Sequence, residues 1–103
     1  MDRLYKLAEA ANIRFPDGVN PYQMATRLLE ECGELADQIN HFEGSGVKRK
    51  KRGEPVRADF ANELRQAITE LIKIAAYYGL REELDESIEK ALKRVIDEGL
   101  IKG

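Results

Sequence analysis

The sequence predicts an all-α protein: a four-helix bundle-like protomer of two long acidic-edged helices and two shorter ones, completed by dimerisation. Three observations predict it. Apolar residues recur at steps of three and four through most of the chain, no stretch alternates with the period of two that a half-buried strand requires, and Gly, Pro and Asn20 fall where such helices begin and end.

The 103 residues, 43% hydrophobic and 35% charged, suit one domain spanning 1–103, with no internal repeat. Seventeen basic residues against 19 acidic ones leave a net charge of −2, so no overall field draws the chain to nucleic acid or to anionic lipid. No uninterrupted apolar run reaches the length of a membrane span, and the N-terminal MDRLYKLAEA is amphipathic and contains acids, unlike a signal peptide. A cytoplasmic location is the expectation. The single cysteine, Cys32, has no intramolecular partner and falls on an apolar helix side, where a small buried thiol is expected.

Residues 2–12 read as a first short helix, with Asp2 as its N-cap and Leu4, Leu7, Ala8 and Ala11 forming one stripe. The run 13–19, IRFPDGV, holds Pro16 and the Asp17-Gly18 pair and is expected to turn across the bundle. Asn20-Pro21 then supplies an N-cap with proline at the first helical position, and Met24, Leu28, Leu35, Ile39 and Phe42 carry a long second helix to about Glu43. Gly33 interrupts it at a cost of about 1 kcal/mol relative to alanine. Either a neighbouring helix packs closely there, or the missing side chain admits a helix or ligand to the adjacent glutamates.

The run 44–57, GSGVKRKKRGEPVR, is the one compositional break and is expected to be a flexible basic loop. Its core, Lys48-Arg49-Lys50-Lys51-Arg52, could attract polyphosphate. No aromatic residue is interleaved to stack on bases, so nucleic acid is not the expected partner. A third helix follows over Ala58–Tyr78, with Phe60, Leu64, Ala67, Ile68, Leu71, Ile72, Ala75 and Tyr78 on its apolar face and Gly79 as its terminator. That face spans about 160°, more than one short helix covers, so a homodimer or homotetramer is expected. Arg81–Glu98 gives the fourth helix, with Leu84, Ile88, Ala91, Leu92, Val95 and Ile96 inward. Its acids come early and Lys90, Lys93 and Arg94 late, as the helix dipole favours, and Gly99 ends it.

Chemistry concentrates in Leu28–Asn40, LLEECGELADQIN. At 100° per residue, Glu30, Glu31, Glu34, Asp37, Gln38 and His41 share one side of the helix, and Leu28, Leu29, Cys32, Leu35, Ala36 and Ile39 the other. Glu31 borders Leu35, which brings negative charge near packed apolar surface and calls for a partner. The third helix carries a second polar edge of Asp59, Glu63, Gln66 and Glu70. If the two helices pack antiparallel, oxygen ligands from both surround one point. Such a set suits Mg²⁺, or Mn²⁺, which accept carboxylate oxygens and leave positions for substrate phosphates. In a chain this rich in charge, an acidic edge is otherwise a solvated surface.

The run Glu30-Glu31-Cys32-Gly33-Glu34-Leu35-Ala36, followed after a loop by Glu63-Leu64-Arg65-Gln66 in an apolar helix that ends at Tyr78-Gly79, resembles the MazG-like all-α nucleoside triphosphate pyrophosphohydrolases. The resemblance covers about residues 20–98. That family's pattern is EExxE, a variable gap, then ExxD. It implies Mg²⁺-dependent hydrolysis of a (deoxy)nucleoside triphosphate to monophosphate and pyrophosphate by a helical oligomer. Glu31, Glu34 and Glu63 would be metal ligands, and Glu30 a catalytic residue that helps orient a ligand, a second metal or water. Gln66 stands where the family has aspartate and offers a neutral oxygen in its place. Asp59 and Glu70 could supply the missing carboxylate, and Asp37 could support the site. By the same resemblance, base and sugar would lie near Asn12, Arg14 and Phe15, while Lys73 and Lys90 are candidates to meet phosphate. Two alternatives remain: a catalytically degenerate nucleotide-binding bundle, which Gln66 would explain, and an interaction module using the basic loop.

Overall fold

Asn20 opens the longest helix as its residue type dictates, its Oδ1 accepting the backbone N–H of Gln23 at 3.0 Å while Pro21 takes the first helical position. The computed structural model describes residues 1–44 and 53–103, and in it the chain forms α1 (Asp2–Arg14), a 3₁₀ turn (Pro16–Gly18), α2 (Pro21–Phe42), α3 (Arg57–Tyr77) and α4 (Arg81–Asp97). Among the described residues there is no strand, and the fold is all-α. The basic run 48–52 lies outside the described residues.

Helix ends follow local chemistry, with small departures from expectation. Asp2 is the first residue of α1 and not its cap; its carboxylate pairs with Arg81. α1 continues two residues beyond 12 and stops where Pro16 pushes Phe15 out of the helical region, to φ −127° and ψ 68°. α3 lies one residue earlier than the hydrophobic pattern implied. It ends at Gly79, whose φ of +65° lets the Leu80 N–H reach the Ala75 carbonyl at 2.8 Å and the Gly79 N–H reach that of Ala76 at 3.2 Å. Gly99 repeats this arrangement after α4, at φ +77°.

α3 packs along both α1 and α2 and touches α4 only lightly. Its pairing with α2 is antiparallel. Arg27 meets Glu70, the Glu31 and Glu34 carboxylates approach Glu63, and Phe42 and Phe60 stack with centroids 4.8 Å apart, so rising numbers on one helix match falling numbers on the other. The apolar core is small: Tyr5, Ala8 and Ile72, with Leu4 and Leu84 against them. α4 is fastened at its start by Arg81, whose guanidinium lies 4.2 Å over the Tyr5 ring and 2.6 Å from Asp2 Oδ1.

The faces turned inward differ from those the apolar pattern suggested. On α2, Met24, Glu31 and His41 are buried, whereas Leu29 is 74% exposed and Cys32, Ala36 and Ile39 also face outward. Cys32 is thus an exposed thiol, not a buried one. On α3, Ala67, Ile72 and Ala75 are buried beside Thr69, Glu70 and Lys73, while Leu64, Ile68, Leu71 and Tyr78 are open. No residue of α4 is buried. The cause is the α2–α3 contact: beside Phe42 and Phe60 it brings Glu31, Glu34, Glu63 and Glu70 together, and much of each apolar stripe is left outside. A side chain added at Gly33 would meet nothing within 4 Å, so no helix of this chain packs closely against it.

Candidate metal centre

The antiparallel register places the acidic edges of α2 and α3 against one another. Glu31, Glu34 and Glu63 each present an oxygen within 4.8 Å of the other two. Their surroundings are graded: Glu31 is buried, Glu63 half-buried and Glu34 exposed, so the cluster opens to solvent on the Glu34 side. Glu31 Oε2 and Glu63 Oε2 are both buried and have no hydrogen-bond partner among the described residues. Leaving such acceptors unsatisfied is costly, and more so for a charged group.

Burial, and then the Glu34 charge, raise the Glu31 carboxyl above the ordinary glutamate range; Arg27 opposes them, and Glu63 and Glu70 add to the rise. Glu63 is raised by burial, by the charge of Glu34, by a side-chain hydrogen bond with Glu34 and by the charge of Asp59. Like charges around partly dehydrated carboxylates thus disfavour ionisation at both positions.

One cationic side chain borders the cluster and a second stands beyond it. Arg27 stands one turn before Glu31, with Nη2 3.6 Å from its Oε1, and reaches Glu30 at 3.9 Å and Glu70 at 4.0 Å. Lys73 Nζ lies 3.3 Å from Glu70 Oε2, and both side chains are nearly buried. Arg27 was not singled out in the sequence. Its spacing to Glu31, i to i+4 on a helix, was the signal available, as was the i to i+3 spacing of Glu70 and Lys73.

The other candidate residues fall at varied distances from this centre. Glu30 stands outside the three-carboxylate set, its side chain 56% exposed. Gln66 is half-buried one turn beyond Glu63, and Asp37 is half-buried close to one turn beyond Glu34. Asp59 is exposed, near enough for its charge to act on Glu63. Glu70 is buried and already held by Lys73 and Arg27. Arg14, Phe15 and Lys73 line one cavity of about 400 Å³ together with Arg27. Lys90 does not join them; it lies exposed on α4. His41 Nε2 donates to the Gly53 carbonyl at 2.8 Å and ties the end of α2 to the segment leading into α3.

The chain matches no protein-family model, no curated protein and no solved structure. What the centre can bind therefore rests on its donors. Three carboxylates, two of them with buried oxygens lacking a partner, are the ligand chemistry of a hard divalent cation, and no thiolate or imidazole is among them to favour a softer metal. Among the described residues no helix is long and apolar enough to cross a membrane.

Proposed function

We propose that this chain is a Mg²⁺-dependent pyrophosphohydrolase of the MazG-like kind, cleaving a (deoxy)nucleoside triphosphate to monophosphate and pyrophosphate in the cytoplasm. The observation that carries this reading is the convergence of Glu31, Glu34 and Glu63 from two antiparallel helices, with Glu31 Oε2 and Glu63 Oε2 buried and unpartnered.

In this proposal Glu31, Glu34 and Glu63 hold the cation, and Gln66 is a neutral oxygen donor one turn along from Glu63. The bound cation supplies neutralisation of charge on phosphoryl oxygens and so eases attack at phosphorus. Glu30, exposed beside the cluster, orients the attacking water and accepts its proton. Lys73 and Arg27 hold Glu70 in place and offset the charge of the carboxylates around it. The open side of the centre, at Glu34, is where substrate and water enter.

Self-association belongs to the same proposal. A monomeric protein of 11.7 kDa is expected to expose about 5,900 Å², whereas this chain exposes 7851 Å². Its radius of gyration is 16.9 Å, against about 13 Å for a compact chain of this length. Leu29 and Ile39 of α2 with Leu64, Ile68 and Leu71 of α3 supply the apolar surface for a second copy.

Gln66 favours one second reading, a bundle that binds nucleotide but turns it over poorly because one formal charge is missing from the centre. Pyrophosphate release assayed in the parent and in Gln66→Asp separates the two: turnover in the parent supports the enzyme, and turnover in the variant alone supports a decayed site.

A further inference from the structure

The cavity beside the acidic centre carries the opposite charge. About 400 Å³ in volume, it is lined by Arg14, Arg27 and Lys73 against a single carboxylate, Asp17, with Gln23 and Phe15 completing the polar and apolar walls. This is a local concentration of cations in a chain whose net charge is −2. Two of the three also have carboxylate partners. Lys73 is held by Glu70 at 3.3 Å, and Arg27 bridges Glu31 at 3.6 Å and Glu70 at 4.0 Å. Arg27 is therefore common to the two regions: it lines the cavity and touches a carboxylate of the metal-ligand set.

We propose that this cavity is a phosphate subsite that receives the pyrophosphate end of the substrate, with Arg27 shared between that anion and Glu31. The proposal rests on the metal-dependent reading of the neighbouring carboxylates and deepens it by assigning the orientation of the substrate. Three converging cations recognise a polyanion, since guanidinium groups match phosphate oxygens bidentately and lysine adds a point charge. They offer nothing specific to a neutral base. The orientation differs from the one implied by resemblance, in which base and sugar occupy the Arg14 and Phe15 neighbourhood. Arg27 also has a dual relation to the metal. Its guanidinium neutralises Glu31 when no cation is bound, and a divalent cation at Glu31 would release it towards phosphate.

One substitution read on two ligands tests this. Inorganic pyrophosphate and Mn²⁺ are titrated calorimetrically, separately and together, into the full chain and into Arg27→Gln, Arg14→Gln and Glu34→Gln. In Arg27→Gln, pyrophosphate affinity in the presence of Mn²⁺ is expected to fall about tenfold or more, while Mn²⁺ affinity is unchanged or tighter because a competing cation is gone. Arg14→Gln is expected to lose pyrophosphate affinity with no change in Mn²⁺ binding. Glu34→Gln is expected to weaken Mn²⁺ binding. Pyrophosphate binding that ignores both arginines overturns the subsite, while Mn²⁺ binding that depends on Glu34 leaves the metal reading standing. A chain that binds no Mn²⁺ overturns the metal reading, and metal-free pyrophosphate binding then tests the cavity alone. Binding of an unphosphorylated nucleoside that is lost in Arg14→Gln, with pyrophosphate unaffected, would place the base there and overturn the proposal.

Discussion

Arg27 and Glu31 stand one helical turn apart on α2, the guanidinium Nη2 3.6 Å from the carboxylate Oε1, with the arginine side chain 56% exposed and the glutamate 8%. A solvated cation thus reaches in to a buried anion. Glu63, across the groove on α3, is placed differently: the charges acting on it, from Glu34 and Asp59, are both negative. The two glutamates share one cluster but not one environment, and their substitutions should behave differently.

Glu63→Gln removes a carboxylate that is repelled by its neighbours and keeps the side chain's shape. The metal-free variant should be more stable than the parent by about 0.5–1 kcal/mol, or roughly 2–8 °C in Tm for a domain of this size. The same variant should lose metal binding. Thermal melts with and without Mn²⁺ read both effects, and a variant that melts below the parent without metal would contradict this account of the cluster.

The pH dependence follows from the raised carboxyls of Glu31 and Glu63. A carboxyl whose pKa is higher in the folded than in the unfolded chain binds its proton more tightly when folded. The stability it contributes is then fully present below the unfolded value, about 4.3, and is lost as pH rises through the raised folded value. The metal-free parent should therefore lose stability relative to Glu31→Gln/Glu63→Gln over that window. Mn²⁺ needs the ionised carboxylates, so the Tm increase that it causes should grow over the same interval. Melting curves across the pH range check both trends. A parent-to-variant difference that does not change with pH would count against these two groups.

Lys73 and Glu70 form a nearly buried pair, their side chains 11% and 8% exposed. Lys73→Met should destabilise the protein by about 2 kcal/mol, because Glu70 then keeps only the longer contact to Arg27. Combining it with Glu70→Leu should recover most of that loss, since removing both charges leaves none unpaired. Urea unfolding of the two singles and the double measures the coupling. Strictly additive effects would argue that the pair does not act as one.

The order and ends of the helices were legible in the sequence because their signals are local. Asn20-Pro21, Gly79 and Gly99 each act through bonds to residues at most five positions away. The convergence of Glu31 and Glu34 with Glu63 was legible in part, since helical spacing puts each acid on an edge and antiparallel pairing aligns the edges. Which face turns inward was not. Hydrophobic periodicity marks Leu29, Cys32 and Ile39 as one stripe and Leu64, Ile68 and Leu71 as another, but it does not say whether a stripe is covered by its own chain or by a second copy. Within this chain Glu31 and Glu34 meet Glu63, Arg27 meets Glu70, and those stripes stay open. Arg27 is not legible for a related reason: as an exposed residue it looks like ordinary surface charge until the fold sets Glu70 beside it.

Those open stripes make a prediction about mass. Sedimentation equilibrium should give an assembly of two or four chains of 11.7 kDa. Leu71→Glu, which puts a charge at the centre of the α3 stripe, should shift the equilibrium towards smaller or unfolded species. A parent that sediments as a monomer at micromolar concentration would contradict self-association through this face.

Pyrophosphate release from a panel of (deoxy)nucleoside triphosphates, with Mg²⁺ or Mn²⁺, is the most direct test of the central claim. The parent is run beside Glu31→Gln, Glu34→Gln and Gln66→Asp. The account predicts turnover in the parent, a loss of roughly a hundredfold or more in each glutamate variant, and equal or greater activity in Gln66→Asp. Absence of turnover in both the parent and Gln66→Asp, or turnover that survives loss of Glu31 and Glu34, would contradict it.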